Sequence, residues 1–317
     1  MCQQTKPAAA RNVTFHGGGG YHIGTFPGNE FEWLSSFYPP REGYLVETQE
    51  QLPQLKTDDS AKVCDVSKSP YLAKGDGVTL NTVALQKAID DCAGTAEAAG
   101  TVLLPASGSA GTNGTAYVSG ALFLRSHIVL HISPGAVLRG SAILKDNATW
   151  PWTYKRIAGF MEFGHASLLN GAVCKQMKPA CPTGCKGQDL GDQCAEWTKL
   201  QNVAMQGGGT IDGDGTSWLK PPYVNIRPVL MHLAWIDGLI IEDLLITRPP
   251  FWTIHPVFST NMVVRNCSVQ TVGIGNGDGI DVVRKPTNLL HHFMKHVSFS
   301  SVCTELAGLF RTQHPTC

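Results

Sequence analysis

Short β-rich runs, with no helix-length gaps between them, constrain this chain more than any other feature. "TVLLPA", "AYVSGALFL", "HIVLHI", "AVLRG", "LQNVAMQG", "GTIDG", "PVLMHL", "GLIIEDLLITR", "WTIHPV", "MVVRNCSV" and "GIDVV" are separated by Gly, Asn, Asp, Ser or Pro. A doubly wound α/β domain would place helices in those gaps, so that architecture is rejected. The runs that begin near Leu239 and Met262 lie about 23 residues apart, and each has an Asn or Asp close to a bend. That interval suits a solenoid coil of several short strands, whereas sandwich turns return every 8 to 12 residues or so. A β-sandwich is the alternative on pattern alone. In a coil, inward side chains stack on those one turn away and the backbone pairs from turn to turn at about 4.8 Å. About six coils are expected between Thr101 and Val283 once a cysteine-rich insertion is set aside.

"GDGVTLNTVALQKAIDDCAG" predicts one short amphipathic helix, capped by Asn81 or Thr82 and running to about Cys92, with Leu85, Ile89 and Cys92 on one face. Its expected place is over the open N-terminal edge of the coil stack. Residues 1–73 read as an irregular extension, 74–283 as a partial β-helix domain with the insertion at about 171–198, and 284–317 as a tail of different character.

A chain of 317 residues buries enough surface for a core without metals or bridges as its main support. Zero formal net charge and 16% charged residues exclude a role that depends on a basic field, so neither nucleic acid nor a membrane surface is an expected partner. No window approaches 18 consecutive apolar residues. Cys174, Cys181, Cys185 and Cys194 crowd one Lys, Pro and Gly-rich stretch; crosslinks there would stabilise a long loop, and a zinc site is the competing reading. Sequons at Asn12, Asn113, Asn147 and Asn266 join those cysteines in pointing to an oxidising, exported setting. "MCQQTKPAAARNVTFHGGGG" has no apolar segment of the signal-peptide kind, so no secretory signal is expected in the chain as written.

Several phrases, in order and spacing, resemble the polygalacturonase-like glycoside hydrolases, the pectin-cleaving group that includes exo-acting members. They are "GDGVTLNTVALQKAIDDC", "GTVLLPA", "YVSGALFLRSHIVLHISPGAVLRGS", "GGGTIDGDGTSW", "RPVLMHLAWIDGLIIEDLLITRPPFWTIHPVFSTNMVVRNCSV" and "NGDGID". The similarity runs from about Lys74 to Val283. It implies an all-β, right-handed single-stranded parallel β-helix of the pectin-lyase-like kind with an N-terminal capping helix. It also implies an extracellular setting, pectin or a related acidic cell-wall polysaccharide as partner, and no metal or other cofactor; a monomer is expected.

The resemblance assigns Asp278 to the catalytic carboxylate, with Asn276 and Asp281 supporting it. Gly277 stands where the family has threonine, which loosens the backbone and removes a hydroxyl. The family's later Asp-Asp, Gly-His-Gly and Arg-x-Lys motifs do not occur in "RKPTNLLHHFMKHVSFSSVCTELAGLFRTQHPTC", so the chain reads as truncated or aberrant after Val283. His291, His292 and His296 fall in that tail and are set aside as metal ligands.

The implied chemistry is inverting hydrolysis, in which one carboxyl protonates the leaving oxygen and another activates water. Strand alternation would put Asp278 and Asp281 on opposite faces unless the chain turns at Gly279. Without the resemblance, Asp278 in "NGDG" is an ordinary turn aspartate; Asp212 and Asp214 are turn-like too and are left out of the catalytic set. His255, Trp252 and Arg248 are candidate sugar contacts, with Phe251, Arg227 and Arg265 candidates by location. Two other functions compete. One is a catalytically inactive β-helix that binds polysaccharide or is a truncated product. The other is a calcium-dependent lyase, which would need clustered acids and a base not visible near Asp278.

Overall fold

The computed structural model describes residues 61–106, 114–144, 146–157, 160–177, 194–271, 273–283, 289–292, 296–298 and 304–305. The chain divides between Val46 and Glu47, and every described residue belongs to the second unit. Three parallel sheets form the walls of a right-handed β-helix. The first sheet runs Val63–Asp65, Gly100–Leu104, Ile128–Ile132, Leu200–Gln206, Ile236–Glu242, Thr260–Arg265 and Leu289–His292. The second runs Asp76–Leu80, Thr115–Ser119, Ala136–Gly140, Thr210–Asp212, Leu245–Thr247, Ser268–Gln270 and His296–Ser298. The third runs Leu122–Phe123, Leu169–Asn170, Met231–Ala234, Ile254–Val257, Val282–Val283 and Thr304–Glu305.

The 23-residue interval is realised where Leu239 pairs with Met262 and Ile241 with Val264. Inward residues at these positions, Val203, Leu239 and Met262, are fully buried and stack through the core. The polar bends stack as well. Asn202, Gly238 and Asn261 occupy equivalent points of successive turns with φ of 52°, 81° and 50°, a left-handed conformation that Gly and Asn adopt at least cost. At the next bend Asn266 donates to the Asp243 carboxylate one turn away.

Among the described residues between Thr101 and Val283 the first sheet contains five strands, where the periodicity suggests about six coils. The difference arises because Trp152–Ile157 and Phe160–His165 leave the wall as an antiparallel hairpin; the other antiparallel pair, Cys174–Met177 with Cys194–Trp197, lies in the insertion already set aside.

Helix α1, Thr82–Cys92, lies where the sequence places it and buries Leu85, Ala88, Ile89 and Cys92 against the first turns. Asn81 does not cap it by a side-chain hydrogen bond. Instead its amide accepts from the Lys74 N–H and donates to the Lys74 and Thr79 carbonyls, closing the chain ahead of the helix.

Ordered structure starts before Lys74. Val63–Asp65 extends the first sheet and Cys64 is bonded to Cys92 of α1, a crosslink the sequence pattern did not reveal because the two cysteines are 28 residues apart. Beyond Val283, inside the tail read as aberrant, the backbones of Leu289–His292, His296–Ser298 and Thr304–Glu305 add one further strand to each wall. Backbone pairing in such a stack needs only extended conformation in register, so it tolerates a change of side-chain phrasing. Cys174 and Cys194 are disulfide-bonded, which removes both from the zinc alternative; Cys181 and Cys185 lie outside the described residues.

Candidate functional site at the third sheet

The third sheet sets the candidate site residues. Leu169, Met231 and Ile254 are register neighbours that point into the core, so the residues after them, Asn170, His232 and His255, form a column on the outward side. The next turn joins this column through a bridge between Ile254 and Ile280. The Thr253 N–H donates to the Asp278 carbonyl at 2.8 Å, Ile254 N–H to Gly279 at 3.1 Å, and Asp281 N–H to Ile254 at 2.9 Å. Asp278 therefore stacks on Trp252, and Asp281 on His255.

That register bears on whether the two carboxylates share a side. Trp252 and His255 are also three apart, yet their ring centroids are 5.1 Å from each other. The chain turns as it enters the strand at Thr253, so simple alternation does not hold at this corner. The Asp278–Gly279 backbone follows the same path one turn later.

Asn276 is exposed with φ of 59°, and its side-chain oxygen is 3.5 Å from the Arg227 guanidinium, which also donates to the Pro250 and Gly275 carbonyls. Arg227 lies over the Phe251 ring at 5.1 Å, and Phe251 stacks on Trp252. A Cβ at Gly277 would fall 3.0 Å from both the Ile274 carbonyl and Thr271 Cβ, so a threonine there would need its neighbours to give slightly. Asp278 and Asp281 are both buried, at 8% and 4% exposure.

His255, a candidate sugar contact from sequence, is fully buried, so a sugar does not reach its ring in this arrangement. Its Nδ1 lies 2.8 Å from the Asp281 carbonyl and 4.0 Å from the Asp281 carboxylate, and its Nε2 lies 2.9 Å from the Arg156 carbonyl. His232, one turn earlier, accepts from the Arg156 N–H through Nε2. Two histidines on adjacent turns thus hold the two backbone groups of one hairpin residue. Burial, reinforced by the charges of Lys155 and Arg156, outweighs the two carbonyl contacts and takes the His255 pKa down to about 4. Burial also holds His232 well below its ordinary value, with His255 and Lys155 adding to the effect.

Arg248 is turned to the second sheet. Its guanidinium binds both carboxylate oxygens of Asp212, through Nε at 2.8 Å and through Nη2, and Asp214 at 3.1 Å. Arg139 reaches Asp212 at 3.2 Å from the turn before. The hydrogen bond to Asp212 raises the Arg248 pKa. The structure brings Asn276, Asp278, Asp281, Trp252, His255 and Arg227 to one corner and commits Arg248 to Asp212 and Asp214. Arg265 pairs with Glu242 on the first sheet. Among the sequons, Asn147 is exposed in a turn, Asn266 is exposed but bound to Asp243, and Asn12 and Asn113 lie outside the described residues.

Sequence reasoning missed the hairpin, and with it Arg156, His232, Trp152, Tyr154 and Phe163. The signal was present: rings recur two residues apart at Trp152 and Tyr154 and again at Phe163 and His165, on either side of Ala158–Gly159, the pattern of two paired strands.

The three walls define a parallel β-helix. No family model matches the chain. Over 247 residues it is 28% identical to the exo-poly-alpha-D-galacturonosidase of Dickeya chrysanthemi, covering 69% of this chain and 38% of that protein. It is also 28% identical over 254 residues to a "Probable polygalacturonase" of Vitis vinifera, covering 76% and 43%. In fold it matches the family 28 exopolygalacturonase of Yersinia enterocolitica with a TM-score of 0.52 at 22% identity, covering 70% of this chain and 41% of that one. It matches the hyperthermoactive exopolygalacturonase of Thermotoga maritima with a TM-score of 0.51 at 19% identity, covering 73% and 50%. The chain is thus similar, at the level of family, to the polygalacturonase-type glycoside hydrolases. It spans about two fifths of the length of these curated relatives.

Proposed function

We propose that this chain acts on a pectic polysaccharide by inverting hydrolysis, with Asp278 as a catalytic carboxylate supported by Asn276 and Asp281. The observation that carries the reading is the position of the Asn276–Asp281 segment, hydrogen-bonded in register onto the third sheet with Asp278 above Trp252. Inverting hydrolysis uses two carboxyls about 6.5–9.5 Å apart. Asp278 supplies one, and Asp281 is a second buried carboxylate on the same turn. Trp252 and Phe251 offer half-buried ring faces to a sugar beside them. The disulfides Cys64–Cys92 and Cys174–Cys194 and the exposed sequon at Asn147 support an extracellular setting.

The test is incubation of the purified chain with polygalacturonate and measurement of new reducing ends. Product formed by the parent chain and lost on Asp278→Asn supports the reading. Binding without turnover is the second reading, favoured by the half-buried ring faces of Phe251 and Trp252, which can hold a sugar without chemistry. Saturable retention on immobilised pectin with no reducing ends would establish it.

A further inference from the structure

The hairpin Trp152–Ile157/Phe160–His165 stands outside the three walls and carries an aromatic surface that the proposed catalytic corner does not use and that meets the core only where the Trp152 ring packs on buried His165, centroids 4.8 Å apart. Trp152 and Tyr154, two residues apart on one strand, point to the same side. Phe163 is directly opposite Tyr154 in the antiparallel register and diagonal to Trp152. Their rings form a continuous slab, with Tyr154 and Phe163 centroids 4.9 Å apart and Trp152 and Phe163 5.6 Å apart. All three remain open to solvent, at 41%, 40% and 57%.

Both the placement and the charge of this slab narrow what can occupy it. The strand that carries Trp152 and Tyr154 also carries Arg156, whose N–H and carbonyl are held by His232 and His255. His255 in turn touches the Asp281 carbonyl. Trp152 lies four residues, about 13 Å of extended strand, from that anchor, so the slab is fixed relative to the Asp278 corner. The other side of the hairpin is a foot: Lys155 is buried there and donates to the His165 carbonyl. Residues 152–165 contain Lys155, Arg156 and Glu162 as their charged side chains, and both cations are buried while Glu162 is exposed. Glu162 pairs with Lys155 and so lies on the opposite side from the slab; the slab's own side carries only the buried Arg156, which leaves an apolar surface with no exposed cation of the hairpin to receive a polyanion.

We propose that Trp152, Tyr154 and Phe163 form a sugar-binding platform that takes the C–H faces of uncharged pyranoses, meaning methyl-esterified or neutral stretches of a polysaccharide chain. This rests on reading the chain as a polysaccharide-acting β-helix and deepens it, because it assigns the substrate class next to the corner. Stacking on aromatic faces is apolar, so the platform's share of binding is insensitive to salt.

The test measures binding, not turnover, by calorimetry with methyl-esterified oligogalacturonides, free oligogalacturonides and a neutral oligosaccharide. The parent chain, Phe163→Ala, Trp152→Ala and the conservative Trp152→Phe are compared, with thermal melting and sedimentation as controls of fold and assembly. Tighter binding of the esterified than of the free oligosaccharide is expected. Phe163→Ala and Trp152→Ala are each expected to weaken it roughly 3- to 10-fold, with Trp152→Phe restoring most of the loss. These results stand whether or not reducing ends are ever formed, so failure of hydrolysis leaves the platform supported. Unchanged affinity in both alanine variants, no binding of any of the three probes, or a change of assembly state without a change in sugar affinity would each overturn it.

Discussion

Arg156 and His255 are 99 residues apart in sequence, and the Arg156 carbonyl lies 2.9 Å from His255 Nε2 in a fully buried contact. His255 Nδ1 faces a second carbonyl, that of Asp281, at 2.8 Å. A neutral imidazole has one N–H and can donate to only one of the two. Replacing His255 with Ala removes the donor to one of these carbonyls and opens a void. We expect a loss of about 2–4 kcal/mol in urea unfolding and faster amide exchange in residues 152–157, checked by hydrogen-exchange mass spectrometry.

The same histidine sets a pH dependence. Its folded pKa is depressed to about 4 from 6.5, and that of His232 is depressed too. The unfolded chain therefore takes up protons as pH falls below 6.5 while the native ring stays neutral until about 4. Stability is full above about pH 6.5 and falls between 6.5 and 4, by up to about 3 kcal/mol for His255 alone. Denaturant midpoints from pH 4 to 7 in the parent and in His255→Gln will check this, with a shallower slope expected in the variant.

For the proposed chemistry, Asp278→Asn should lower the rate of reducing-end formation by at least about 10²-fold with little change in melting temperature. Asp281→Asn should lower it less and cost more stability, because Asp281 sits against His255. A split in the opposite sense would move the catalytic assignment from Asp278 to Asp281.

Arg248 gives a prediction about stability. Asp212 is buried, and its carboxylate is bound by Arg248 and Arg139. Arg248→Ala should cost roughly 1–3 kcal/mol, less than for a buried pair because the Arg248 side chain is 41% exposed. Affinity for oligogalacturonides should be unchanged in that variant. Lower affinity at equal stability would restore Arg248 as a sugar contact.

Reduction of Cys64–Cys92, or the pair of substitutions Cys64→Ala and Cys92→Ala, should cost about 3–4 kcal/mol, since the bond closes a segment with a sequence separation of 28. Proteolysis would then begin around Val63–Asp65, the strand at the end of the first sheet.

The sequence by itself determined the wall and the helix. Apolar runs, a 23-residue return and Asn or Asp at the bends dictate stacked parallel turns, because each turn repeats the same local conformations and buries the same inward positions. The Asn276–Asp281 segment was legible as a site only through its resemblance to a family motif; its residues alone read as an ordinary turn. Tertiary structure alone decided what each polar side chain meets. His255 read as a sugar contact and lies buried beneath a hairpin 99 residues away, while Arg248 read as a carboxylate fork for substrate and grips Asp212 across 36 residues. Those outcomes depend on which excursion folds back over which face, and a repeating wall offers many equivalent faces. Periodicity determines that a side chain points outward; only the completed packing decides whether it finds solvent, a partner or a sugar there.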